Sequence, residues 1–132
     1  MDKISSIIFD TNIWIGLFVT TDSLHKKSVA ALREHETKMK IIPEYILLEI
    51  LTLLKKQITI TEAQHCLNIF LHSKLIEILP SIHSYDKTIN LFQTLNDKHL
   101  SFVDMSLLAL SRDYEVKTFD KKLASAIKKY SL

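Results

Sequence analysis

Glycine is almost absent from this chain, with one residue among 132, where ordinary usage gives roughly nine. That excludes a glycine-rich phosphate loop of either common kind, GxGxxG or GxxxxGK[ST]. Cys66 is the one cysteine, which excludes an internal disulfide and any zinc site built on paired cysteines. The longest unbroken apolar run, residues 13–19, has seven members, far short of the 18 or more of a membrane span. No stretch near Met1 reads as a signal peptide, because Asp10 and Asn12 interrupt the apolar segment there. Proline is scarce too, and Pro43 and Pro80 punctuate the pattern without marking a linker. Low-complexity tracts and internal repeats are missing. The expectation is one soluble, cytoplasmic domain over residues 1–132, with no membrane association.

What remains is an ordinary globular composition, 47% apolar and 24% charged. The net charge of +2 is too small to name a partner. Its distribution is uneven: residues 112–132 hold six basic side chains against three acids. By itself such a cluster reads as a solvated helix face.

Short β-rich segments alternate with helical periodicity along the chain. Residues 4–9 read as a buried strand running into the helix cap Asp10-Thr11-Asn12. A short helix follows over 13–18, and another over 24–35. Lys40-Ile41-Ile42 is a strand stopped at Pro43, and Pro43 suits the first turn of a helix over 43–56. Thr61-Glu62-Ala63-Gln64 predicts a capping box opening a helix with Ala63, Leu67, Phe70 and Leu71 inward. Residues 75–79 are a strand candidate. Tyr85, Ile89, Phe92 and Leu95 step at helical intervals. Ser101 and Asp104 form a second cap-like start, with Met105, Leu108 and Ala109 inward. A last strand over 115–119 precedes a helix begun by Asp120, with Leu123, Ala124 and Ile127 as its apolar side. Strands alternating with helices imply a parallel sheet with helices on both faces. Such sheets bind ligands beyond the carboxyl ends of their strands.

Three aspartates are expected at that edge: Asp10 after the first strand, Asp120 after the last, and Asp104 in a first helical turn. Each alone is explained by capping and the helix dipole. Glu49 is a fourth acid, set among Tyr45, Ile46, Thr52 and Leu53 on a helix. If it points inward it needs a compensating cation. Four close carboxylates cannot all stay ionised unaided. A divalent cation resolves the repulsion, and oxygen-only ligands favour Mg²⁺ or Mn²⁺ over zinc. The chemistry such a centre performs is hydrolysis of a phosphodiester.

Phe9-Asp10-Thr11-Asn12, Glu49 in its apolar helix, Leu100-Ser101-Phe102-Val103-Asp104 and Thr118-Phe119-Asp120 together resemble the PIN-domain nucleases. Within that family the likeness is to VapC-type toxins of toxin–antitoxin pairs. The resemblance spans nearly the whole chain. It implies a three-layer α/β/α domain with a mostly parallel central sheet that cuts RNA with Mg²⁺ or Mn²⁺. It implies Asp10, Glu49, Asp104 and Asp120 as the catalytic and metal-holding acids, with Asp10 and Asp104 the direct ligands. Asn12 and Thr118 match supporting polar positions. The basic helix beside Asp120 then acquires a task, with Lys121 and Lys122 on the RNA backbone. A cognate antitoxin and a homodimer are the implied protein partners, with the helix over 43–56 as the groove wall. Family members often carry a short strand after the last helix, and the few residues past Ile127 leave little room for one.

Rival readings part company at particular positions. A haloacid-dehalogenase-type phosphatase needs a second acid two residues after the first, and position 12 is asparagine. A ribonuclease-H-like nuclease needs antiparallel strands where helical patterns follow Asp10. The alternatives that stay open are a housekeeping RNA-processing nuclease of the same fold and a non-catalytic protein-binding module. The six histidines lack metal-ligand spacing and are expected at the surface or boundary. Cys66 and Trp14 are expected in the core, although Trp14 could instead stack on a base. Glu44 is explained by dipole capping.

Overall fold

The computed structural model describes residues 5–130. Four short strands form one sheet: β1 (Ser6–Phe9), β2 (Met39–Pro43), β3 (Ile76–Leu79) and β4 (Glu115–Lys117). Their spatial order is β3-β2-β1-β4, and every pairing is parallel. Ile7 lies opposite Lys40 on one side and Glu115 on the other. β1 is therefore central and buried on both faces, which is why residues 7–9 are uninterrupted Ile-Ile-Phe.

The chain steps outward from β1 to β2 to β3, then returns across both to place β4 on the far side of β1. The right-handed rule for crossovers puts the helices of the outward run and of the return on opposite faces. The outward run carries α1 (Thr11–Phe18), α2 (His25–Glu34), α3 (Glu44–Gln57) and α4 (Ile60–His72). A 3-10 turn at Ser81–His83, then α5 (Tyr85–Thr94) and α6 (Phe102–Leu110), form the return, and α7 (Lys121–Tyr130) follows β4. This is the expected three-layer α/β/α arrangement. The direction change falls between β1 and β4, the place where open parallel sheets leave a crevice at their carboxyl edge.

Several local expectations shift. Ile4, read as the start of the first strand, and the final two residues lie outside the described residues. Among the described residues no strand follows α7. Pro43 ends β2 and caps α3 without being its first helical residue. The cap of α4 is Thr59, whose hydroxyl accepts from Glu62 N at 3.1 Å. The sequence Thr59-Ile60-Thr61-Glu62 thus performs what was read two residues later. Leu71, Tyr85 and Phe92 are exposed, and Ala126 is buried where Ala124 was expected. The buried centre of α5 is Thr88, whose hydroxyl donates to Ser84 O at 2.7 Å. His35 is buried and set edge-on against Phe9. Its ring fills a core position that was expected at the surface or boundary.

The single glycine has a packing reason. A Cβ added at Gly16 would run into Ser28 Oγ and come within 3.2 Å of Leu24 O. α1 and α2 approach closely there, and His25 Nδ1 donates to Gly16 O at 2.8 Å. No residue among those described has positive φ, so glycine is used here for closeness, with no turn that requires it.

Candidate active site

Asp10 sits one residue beyond β1. Its backbone N–H donates to Lys117 O at 2.9 Å, adding a rung to the β1–β4 ladder. The same residue caps α1, with Oδ1 accepting from Thr11 N at 2.7 Å. Oδ2 accepts from the Thr118 hydroxyl at 2.6 Å. Thr118 Oγ1 in turn accepts from Asp120 N at 3.0 Å. One hydroxyl therefore ties the end of β1 to the turn after β4. Asp120 accepts from Lys122 N at 2.9 Å through Oδ1 and so caps α7.

Asp104 arrives from the other end of the fold. It is the third residue of α6 in a reciprocal capping box: Ser101 N donates to its Oδ2, and Asp104 N donates to Ser101 Oγ, both at 3.0 Å. The cap fixes the helix start and with it the direction of the carboxylate. Glu49 stands half-buried near the middle of α3. All four carboxylates line a single open cavity of about 380 Å³, together with Asn12 and Thr11. The four predicted acids are thus brought to one place.

A fifth acid belongs with them. Asp22, between α1 and α2, also lines this cavity while its Oδ1 accepts from Leu24 N at 2.8 Å. Its signal in the sequence, Thr21-Asp22-Ser23 before a helix, is that of an ordinary turn, and nothing local ties it to Asp10. Glu44, by contrast, points away and accepts from Ser81 N at 2.9 Å. That hydrogen bond holds its carboxyl below the usual range. Lys121 and Lys122 are exposed on the first turn of α7. Trp14 is 2% exposed, set edge-on between Phe9 and Phe70, so it is core and offers no stacking face. Cys66 is buried as well, and burial pushes its thiol up to about 12.

The cavity's electrostatics centre on Asp10, which is 7% exposed. Burial raises its carboxyl above the ordinary value, and the charges of Asp104 and Glu49 push the same way. The bonds from Thr118 and Thr11 oppose the rise. A buried carboxylate facing others of its sign is costly unless a cation joins them.

The residues present fit a hard divalent cation. Every side-chain donor is an oxygen, and the buried Asn12 Oδ1 has no hydrogen-bond partner among the described residues. No three His, Cys, Asp or Glu side chains among those described come close enough to enclose an ion.

A family model for the PIN domain matches residues 7–129. The chain belongs to the PIN-domain family. Among solved structures it is similar to Mycobacterium tuberculosis VapC20, described as a sarcin-ricin loop cleaving toxin. The TM-score is 0.78 and the identity 20%, over 91% of this chain and 94% of that one. No curated protein matches the sequence. At this identity the likeness to VapC20 concerns the fold of this PIN domain: the parallel sheet and its helical layers.

Proposed function

We propose that this PIN domain is a metal-dependent endoribonuclease and the toxin of a toxin–antitoxin pair, acting in the cytoplasm. The observation that carries the reading is the convergence of Asp10, Glu49, Asp104 and Asp120 on one cavity at the sheet's switch point. Family membership and the similarity to an RNA-cleaving toxin support it. A protein-binding scaffold would gain nothing from burying Asp10 beside two other carboxylates.

In this reading Asp10 and Asp104 are the direct ligands of Mg²⁺ or Mn²⁺. Glu49 and Asp120 would complete the cation's oxygen surroundings, and the unpartnered Asn12 Oδ1 would add another oxygen. Thr118 opposes the rise in the Asp10 pKa and aims its carboxylate. When bound, the cation polarises the phosphodiester and steadies the departing oxygen. The carboxylates orient a water for attack on phosphorus and one of them takes up its proton, while the bond to the leaving oxygen breaks and that oxygen takes a proton from solvent. Lys121 and Lys122 hold the RNA backbone.

The partners follow from the rim. Tyr45, Leu48, Leu53 and Val103 line an apolar hollow of about 350 Å³ that shares Glu49 with the acidic cavity. Leu48 is 59% exposed. An amphipathic antitoxin helix would cover this surface and send an arginine or lysine to the acids in place of the cation. A homodimer would bury other exposed apolar side chains.

The test is Asp104→Asn. RNA cleavage should be abolished and Mn²⁺ binding weakened, while the metal-free protein melts within a degree or two of wild type, since asparagine keeps an acceptor for Ser101 N. Cleavage at the wild-type rate would remove Asp104 from the site. Harmless expression of a stable monomer without any partner would count against the toxin assignment and favour a housekeeping nuclease.

A further inference from the structure

The acidic cavity has no lysine or arginine in its lining. Five carboxylates repel a polyanion, so an RNA strand held there must draw its affinity from cations outside. A separate cleft of about 330 Å³ lies between α7 and the loop that precedes α6. Lys121, Lys122 and Lys129 line it from α7, and His99 and Asp97 from the loop. Lys122 Nζ is 3.4 Å from His99 Nδ1, an approach that leaves the imidazole proton on Nε2 as a donor. Asp97 is already engaged, since its Oδ1 accepts from His99 N at 2.9 Å. Tyr130 closes one end, with the Lys129 ammonium 5.1 Å from its ring centre. Three lysines thus line a cleft whose single carboxylate is tied into the loop.

We infer that this cleft is a second phosphate site, which takes a backbone phosphodiester of the RNA next to the one being cut. The inference rests on the endoribonuclease reading and adds to it His99 and Lys129, which no local motif marks. Lys122 and His99 bind one phosphate together, and Lys129 reaches it from two turns further along α7. Because Asp120 lines the acidic cavity and its chain neighbour Lys121 lines the cleft, the strand passes from one to the other over the start of α7. The cleft therefore positions the strand, and it takes no part in bond breaking. Its contacts are alike in ground and transition states, so they act on KM and leave kcat in place.

The experiment measures binding of a fluorescent ten-nucleotide oligouridine by anisotropy, with EDTA present to prevent cleavage, over a range of salt. Lys122→Ala, Lys129→Ala and His99→Gln are compared with wild type, and Lys74→Ala, at the opposite edge of the sheet, is the control. Thermal melting checks that each variant is folded. For each lysine variant the slope of log affinity against log salt should become shallower by about 0.7. His99→Gln should weaken binding while the control changes nothing. With Mn²⁺, Lys129→Ala should raise KM several-fold and keep kcat within about twofold. Unchanged slopes in Lys122→Ala and Lys129→Ala, in a wild-type protein that binds and cuts RNA, would overturn the cleft and leave the nuclease standing. A wild-type protein that neither binds the oligonucleotide nor cuts any RNA would remove both.

Discussion

At the scale of single residues the decisive group is Asp10, because it serves strand, helix and cavity at once. Its carboxyl is raised from the ordinary 3.8 by burial and by neighbouring charges. The native state therefore holds that proton more tightly than the unfolded chain does. Its contribution to stability is fully present below the unfolded value and is lost as pH rises through the folded one. Without metal, Asp10→Asn should melt at or above the wild-type temperature near pH 7. The gap should close as pH falls toward about 4, which a series of thermal melts will show. Metal binding runs the opposite way, since the cation needs the ionised form, and Mn²⁺ affinity should fall with pH. Thr118→Val removes the hydroxyl that donates to Asp10 and accepts from Asp120 N. Leaving Asp10 Oδ2 without its partner should cost about 1–3 kcal/mol in denaturant unfolding near neutral pH.

At the scale of elements the fold depends on how closely α1 and α2 can lie. Gly16→Ala would drive a methyl group into Ser28 Oγ. The expected loss is about 1–3 kcal/mol, as for other overpacked sites. Ser28 Oγ is itself buried with no hydrogen-bond partner among the described residues, so Ser28→Ala should be neutral or stabilising. The double variant should recover part of the Gly16→Ala loss. A double-mutant cycle showing simple additivity would deny that the two side chains meet. Caps matter at the same scale. Thr59→Ala should destabilise by about 1 kcal/mol, whereas Thr61→Ala, outside the true cap, should have little effect on unfolding.

For the whole molecule the consequence of bringing acids from four elements together is that the cation and the fold are linked. A ligand bound only by the native state stabilises it in proportion to the logarithm of its saturation. Mn²⁺ should raise the melting temperature of wild type and do so much less in Asp10→Asn or Asp104→Asn. An equal rise in all three would place the ion elsewhere. Exposed Leu48, Ile82, Tyr85 and Phe92 should show as self-association when mass is measured in solution at micromolar concentration. Among the described residues no helix is long and apolar enough to cross a membrane.

The sequence by itself determined what is local. Alternating periodicities marked every strand and helix to within a few residues, because burial on both faces of β1 and on one face of α3 demands those patterns. The box of Ser101 and Asp104 was legible because both partners lie within one helical turn. Asp10 and Asp120 were legible as residues that follow strands. Only the tertiary structure decided which acids meet. Asp22, whose local sequence is that of an ordinary turn, joins the cavity, and Glu44 stays outside it, because their surroundings come from segments distant in the chain. The hydroxyl of Thr118 reaches Asp10 across 108 positions, and no periodicity encodes such a bond. The exposure of Phe92 and the burial of Thr88 were likewise settled by the neighbours of α5. An amphipathic pattern says that one face is apolar, but what packs against that face depends on strand order, and the return of the chain past β2 and β3 to β4 fixed it here.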